Sequence, residues 1–405
     1  MSRIYPFPAL RPSPEAAPRV AAVPYDVVNT VEAKALSAGN PISFLHVSRP
    51  EIDLPSGIDL HSDAVYQQAV RSFAALRSAA PLVVEDEPSL YVYRLTMGSH
   101  VQAGIGACFS IDEYDRDLIK KHEKTRPDKE DDRTRHMIAI RAQTGPVFLT
   151  YKASPAVDAV VARIMTGARL FDFVAPDQIR HEIWRVAAGE HQHVTAAFGA
   201  IECLYIADGH HRAASAARAR RVLREGEGLA DGALHECDTV LAVAFPDDQM
   251  QVLPYHRIVR DLNGLSSSEF LERLSARLNV TKGGSPSPRH KGEIGMYFEG
   301  EWWTVTFPSE RPPSLDVSRL QDEVLSPILG IHDVRTDKRI DFVGGIRGTG
   351  ELERLVSSGQ FAVAFSLFPV SVDDLMRIAD AGGIMPPKST WFEPKLRDGL
   401  LSHLI

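Results

Sequence analysis

Cysteine is scarce in this chain: three among 405 residues, at Cys108, Cys203 and Cys237, with no CxxC spacing. That excludes a disulfide scaffold and a cysteine zinc ribbon. With two of the thiols in apolar runs, it is the expectation for reduced, buried cysteines in a cytoplasmic protein. No apolar run approaches the ~18 residues of a membrane helix, and the start, Met1-Ser2-Arg3-Ile4-Tyr5-Pro6, lacks the apolar stretch of a signal peptide. A soluble protein without a membrane partner is expected. Positive charge is not in surplus either: 45 Lys and Arg stand against 53 Asp and Glu, a net charge of −8. Nucleic acid is therefore not expected as the main partner, because phosphate-backbone binding draws on excess Lys and Arg. There is no HExxH, no glycine-rich Walker loop and no internal repeat. His181-Glu182 lacks a second histidine four residues from the first, and His191 and His193 are too isolated to define a metal site.

What is present is an ordinary globular composition, 44% hydrophobic and 24% charged, in a chain long enough for two or three domains. Six prolines between Pro6 and Pro24 forbid a long helix at the start. An extended segment is expected at Val20–Val23, a turn at Pro24-Tyr25-Asp26, and helices at Thr30–Ser37 and Ser62–Arg77. Ser89–Met97 and Val101–Ile111 alternate as a hairpin. A very polar stretch covers Asp112–Arg135, followed by a strand at Pro146–Thr150. Later elements include a strand at Leu204–Ala207, an alanine-rich helix at Ala213–Arg221, a strand at Thr239–Phe245 and a helix at Val317–Leu329. The expected architecture is α+β, a mixed sheet with flanking helices. Its parts are a proline-rich segment (1–88), a catalytic core (89–265) and a C-terminal α/β module (266–405) with a possible lid at 385–395.

The sharpest signal is the strand followed by Asp208-Gly209-His210-His211-Arg212 and a helix. Gly209 permits a tight turn, and the helix start offers free backbone N–H groups and the positive end of the dipole, which together suit an anion such as phosphate. Arg212 adds a guanidinium fork and the two histidines add donors. Asp208 opposes that positive charge, so it suits a metal ion, a histidine to orient, or the role of base. Simple helix capping by Asp208 would not account for two histidines and an arginine in one turn.

Upstream, Lys120-Lys121-His122-Glu123-Lys124-Thr125-Arg126 embeds one carboxylate among cations. A solvated face is the usual meaning of such a run, yet Glu123 there would stay ionised and suit a general base beside phosphates. Met385–Lys395 packs two prolines, Lys388, Lys395 and two aromatics into a rigid loop, readable as a phosphate-reaching lid or as a packed tail. Tyr25, Asp26, His256 and Arg257 sit at turns or strand ends and are weaker candidates for substrate contacts.

The Asp208–Arg212 turn resembles the phosphate-binding turn of the ParB/sulfiredoxin-like superfamily, nearest to its free-serine kinases, which carry a His-Glu pair upstream. Here His122-Glu123 is the match. Over nearly its whole length the chain also resembles the family called domain of unknown function 1015, in Leu10-Arg11-Pro12, Pro24-Tyr25-Asp26-Val27, His122–Thr125, Ile206–Arg212, Leu253–Arg257 and Met385–Lys395.

The resemblance implies a nucleotide-dependent small-molecule kinase with ATP or ADP as donor, Mg²⁺, and a hydroxyl-bearing metabolite, free L-serine first. It assigns Glu123, Asp208 and His211 to catalysis, with Asp208 on the metal. Gly209, His210, His211, Arg212, Lys124, Arg126, Lys388 and Lys395 would meet the nucleotide, and His122 the substrate. Two alternatives are a nucleotide-binding switch without turnover and a metal-dependent hydrolase built on His122, His210, His211 and Asp208. In every reading the 85 positions between Glu123 and Asp208 must be bridged by the fold.

Overall fold

The computed structural model describes residues 2–79, 82–230, 232–309 and 314–405. The chain divides into two compact units. One runs to Met250 and regains Pro394–Ile405; the other is Gln251–Glu393. The expected boundary near residue 265 lies inside the second unit, because Tyr255–Val259 pairs with two strands there. The expected C-terminal module also loses its last twelve residues, 394–405, to the first unit.

The first unit is an α+β structure around a nine-stranded mixed sheet. Its strands are β1 (Ile4–Tyr5), β2 (Tyr91–Met97), β3 (His100–Ser110), β4 (Ile119–Lys120), β5 (Val147–Tyr151), β6 (Phe171–Val174), β7 (Arg180–Arg185), β8 (Leu204–Asp208) and β9 (Thr239–Pro246). The order is β4-β8-β5-β9-β3-β2-β7-β6, with β1 on β3. Strands β2 and β3 form the expected hairpin. Met97 faces His100 across Gly98-Ser99, and Gly98 has φ of 60°, the positive φ that two-residue hairpin turns demand.

The helices are α1 (Asp63–Ala79), α2 (Pro127–Ile140), α3 (Pro155–Ile164), α4 (His191–Gly199) and α5 (His210–Glu227). Ile105, Phe109, Val147, Leu149, Phe198 and Ile206 form the core with Ala213, Ala216, Ala217 and Ala219 of α5. Small alanines let α5 lie close over the sheet, which keeps its N-terminus fixed at the end of β8.

The polar stretch 112–135 is more ordered than its composition suggests. It holds a short helix, Ile111–Asp115, then β4 and the start of α2. Ile119 within it is buried, as are Met137 and Ile140 just beyond its end in α2. Its charges pair across helices, as in Arg218 with Glu130 at 3.3 Å. The expected extended segment at Val20–Val23 instead begins as the end of a helical turn, Ala17–Val20, and Ala22 then bridges to Asp398. In the second unit the helix expected at Val317–Leu329 is α-helical only over Asp316–Leu320 and widens to a π turn at Gln321–Leu325.

The second unit has a six-stranded sheet built from Tyr255–Val259, Asn279–Lys282, Glu293–Phe298, Glu301–Thr306, Ile340–Gly344 and Val363–Ser366. Trp391–Glu393 pairs with Gln251–Leu253. Ile258, Tyr297, Leu352 and Phe361 are among its core residues. No helix among the described residues is long and apolar enough to cross a membrane. None of the three cysteines is in a disulfide; Cys108 and Cys237 are buried and Cys203 half-buried.

Candidate active site

The sheet brings the two strongest sequence features together. Strand β4 runs parallel to β8, with Ile119 opposite Leu204 and Lys120 opposite Tyr205. The residues that follow each strand therefore leave the sheet side by side. The His122 main-chain N–H donates to His210 Nε2 at 3.4 Å, and the Arg126 N–H donates to His211 Nε2 at 3.1 Å. Glu123 Oε2 lies 3.8 Å from His210 Nδ1. The 85-position gap is closed by strand pairing.

Both histidines of the turn thus use one ring nitrogen as an acceptor for the 122–126 segment. That leaves Nδ1 to carry the proton in each neutral ring. His210 is buried, its ring 4.4 Å from that of His122 and nearly perpendicular to it. Burial, with His122 beside it, pushes the His210 imidazole well below the usual range, so it is neutral. Burial likewise lowers His122 to about 4, against a weaker raising effect of the Ile206 carbonyl. Neither His122 ring nitrogen makes a hydrogen bond of normal geometry among the described residues.

Gly209 has φ of 94° and ψ of 29° and stands where α5 begins. A Cβ there would come within 3.0 Å of the Arg212 guanidinium carbon and Nε. Glycine is required twice over, by backbone sign and by contact. Gly209→Ala is expected to cost about 1–3 kcal/mol in chemical denaturation. Gly228 at the other end of α5 is the comparison: its φ is 60° but nothing lies within 4 Å of its missing Cβ, so Gly228→Ala should cost less, and equal losses would remove the contact with Arg212 from the account.

Arg212 points inward. It is buried, donates to the Pro146 carbonyl, and approaches Asp208 Oδ2 at 3.4 Å. Its side chain braces the turn from beneath, where the sequence suggested a fork on phosphate. Asp208 accepts from the Gly209 N–H at 2.9 Å and pairs with Lys395 Nζ at 3.0 Å. Burial works against its charge, but Lys395 and Arg212 override it and hold the carboxyl well below the ordinary range. Lys395, expected in a lid, is 9% exposed and sits on Asp208 inside the first unit.

Lys124 and Arg126 are exposed, Arg126 in an ion pair with Asp128 at 2.8 Å. Tyr25 faces the Arg133 guanidinium at 4.3 Å, and Asp26 is exposed beside it. His256, Arg257 and Lys388 belong to the second unit. There His256 Nδ1 accepts from the Leu367 N–H, Arg257 donates to the carbonyls of Tyr255 and Pro387, and Lys388 lies over the Tyr255 ring.

The sequence reading missed Asp398. It is 3% exposed, and its Oδ1 would lie 2.5 Å from a Cβ on Gly145. Burial raises its carboxyl to about 7, with Arg212 opposing and Asp26 reinforcing the rise. The only signal was an Arg-Asp pair, Arg397-Asp398, inside the apolar run Leu396–Leu401. A carboxyl raised on folding binds a proton that the unfolded chain releases, so stability falls as pH rises from about 4 through 7. Asp398→Asn should therefore be more stable than the parent at pH 8, by as much as about 4 kcal/mol, with less than half of that difference left at pH 5 and none well below pH 4. An equal difference at both pH values would contradict this.

No group of three His, Cys, Asp or Glu side chains among the described residues could hold a metal ion. Asp208 is the one carboxylate of the turn, with one oxygen on Gly209 and the other on Lys395 and Arg212. That set does not make a protein-only metal site. It fits Mg²⁺ only in the manner of sites where one carboxylate supplements substrate phosphates.

Taken together, the first unit is a mixed-sheet α+β domain with a strand–glycine–helix turn and a carboxylate beside it. The chain belongs to the family described as Protein of unknown function (DUF1015), which matches residues 4–324. No curated protein matches the sequence. Similar solved structures include a free serine kinase in complex with AMP, at 14% identity and a TM-score of 0.36, covering 73% of this chain and 92% of that one. They also include a conserved hypothetical protein from Pyrococcus furiosus, at 15% identity and a TM-score of 0.36, covering 73% and 94%. A third is SbnI with a C-terminal truncation from Staphylococcus aureus, at 13% identity and a TM-score of 0.39, covering 72% and 85%.

Proposed function

We propose that this protein is a nucleotide-dependent kinase acting on a hydroxyl group of a small metabolite. The observation that carries the reading is the parallel pairing of β4 with β8, which sets Glu123 beside the Asp208–Arg212 turn. Nucleotide phosphates would sit on the first-turn N–H groups of α5, which have no intrahelical acceptor. Glu123, half-exposed next to a neutral His210, would take the proton of the acceptor hydroxyl. The alkoxide oxygen would then form a bond to the terminal phosphorus of ATP or ADP as the bond to the leaving diphosphate or monophosphate breaks. In such transfers positioning and charge stabilisation supply most of the rate. Mg²⁺ would neutralise phosphate charge, with Asp208 as its protein ligand. Lys395 and Arg212 would fix that carboxylate, while His210 and His211 hold the 122–126 segment in register.

The test is incubation of the purified protein with Mg²⁺ and ATP, ADP or CTP together with a panel of small alcohols. L-serine heads the panel, as the amino acid for which the similar kinase is named. Mass spectrometry should find a phosphorylated product that depends on both components. Tight nucleotide binding without product from any pair would replace the kinase reading with that of a nucleotide-binding switch.

A further inference from the structure

Beneath the Asp208–Arg212 turn, one donor and one carboxyl are left without partners. Arg212 donates to the Pro146 carbonyl through one amine and approaches Asp208 Oδ2 with the other at 3.4 Å, a long contact for a charged pair. Its Nε is buried and makes no hydrogen bond. A buried donor left in that state costs about 1–3 kcal/mol. Asp398 lines the same half-open pocket as Arg212, together with Tyr25, Arg133, His136 and Gly145. It is 3% exposed, and its carboxyl accepts no hydrogen bond and makes no ion pair among the described residues. Both groups rest on one dipeptide. The Arg212 amine sits on the Pro146 carbonyl, and Asp398 Oδ1 would lie 2.5 Å from a Cβ on Gly145.

The other guanidiniums near Asp398 are committed elsewhere. Arg133 pairs with Asp132 at 2.7 Å and donates to the Ser48 carbonyl, and Arg397 pairs with Asp177 and donates to His181. Arg212 has a donor to spare, and its charge is the strongest of those that favour the ionised form of Asp398. Burial pushes the Asp398 carboxyl up to about 7, so its charge comes and goes near neutrality. Two other titratable groups line the pocket. Burial pushes His136 down to about 4 and Tyr25 well up, so both are neutral across that range. Asp26, Arg133 and Arg397 supply the remaining charges that act on Asp398.

We propose that Arg212 is a latch with two seats. With Asp398 neutral, the guanidinium sits on Asp208. With Asp398 ionised, it turns about its hold on Pro146, pairs with Asp398 and leaves Asp208 to Lys395. The second seat opens Asp208 to a cation, so the latch regulates the turn. That consequence rests on the reading of Asp208 as the ligand of Mg²⁺ and nucleotide phosphate; the two seats do not.

Crystals of the full chain grown at pH 6 and at pH 8.5 read the seat directly. The guanidinium should lie within hydrogen-bond distance of Asp208 at pH 6 and of Asp398 at pH 8.5. Asp398→Asn keeps the shape and removes the charge, so it should hold the guanidinium on Asp208 at both. A guanidinium on Asp208 at both pH values in the parent would overturn the latch, as would the same movement in Asp398→Asn. Calorimetric titration with Mg²⁺ and ADP reads the consequence. The ratio of the parent's affinity to that of Asp398→Asn should rise at least about threefold from pH 6 to pH 8.5, because ionisation and binding are linked. The nucleotide's own titration is common to both proteins and cancels in the ratio. An unchanged ratio would overturn the link to Asp208. Absence of ADP binding to either protein would instead overturn the nucleotide reading, and the crystals would then decide the latch alone.

Discussion

Glu123→Gln is expected to lower turnover by a factor of about 10²–10⁴, the usual contribution of a positioned general base, while nucleotide affinity changes less than threefold. The side chain is 30% exposed and 3.8 Å from a neutral histidine, so the amide fits the same space and removes only the proton acceptor. The measurement is kcat and the nucleotide dissociation constant on the same preparation, once an acceptor has been found. The split between the two quantities is decisive. A variant that binds nucleotide as poorly as Arg212→Ala, which takes away the brace of the turn, would mean that Glu123 supports the fold of the site and is not the base.

Asp208→Ala should produce the largest loss of stability, about 3–5 kcal/mol, the range observed when one partner of a buried ion pair is deleted. Arg212 and Lys395 are 7% and 9% exposed, and without Asp208 they would face each other with no intervening negative charge. Asp208→Asn is the finer probe. It keeps an acceptor for the Gly209 N–H but not the charge. The Asp208 carboxyl is held below its ordinary range on folding, so its contribution is complete above the unfolded value of about 3.9 and is lost progressively as the pH falls from there through the lower folded-state value. The parent should therefore lose stability on acidification more steeply than Asp208→Asn, the gap between them narrowing below about pH 4. Urea denaturation at pH 7, 5 and 3.5 reads this directly, and parallel curves would show that Lys395 and Arg212 do not depend on the Asp208 charge.

Several features were legible in the residues. Period-2 alternation across Gly98-Ser99 marked the β2–β3 hairpin. Thr30–Ser37 was readable as a helix, and it carries its own cap, Asn29 with Glu32. The strand–glycine–helix turn was visible because Gly209 follows an apolar strand and precedes alanines, a local pattern that needs no partner to be recognised.

Other features had no local signal. The charges of Lys120–Arg126 looked like a solvated face because the residues that order the segment lie elsewhere, in β8 and α5. Arg212 looked like a phosphate ligand because a sequence lists a guanidinium without its direction, and only packing turns it toward Pro146 and Asp208. Lys395 and Asp398 looked like parts of a C-terminal module. They reach the first unit through the bridges of Ala22 with Asp398 and Leu10 with Ser402.

By itself, then, the sequence determined the α+β character of the chain, the turn at Asp208–Arg212 and the chemical types present there, since hydrophobic period, glycine and capping act over a few residues. Tertiary structure alone decided which of those side chains face one another: Glu123 against His210, Lys395 and Arg212 on Asp208, and Asp398 left unpaired in a cavity. The physical reason is that strand register and the return of the C-terminal segment join residues 85 to 187 positions apart, and such contacts are set by the energy of the whole sheet and core, not by any window of neighbouring residues.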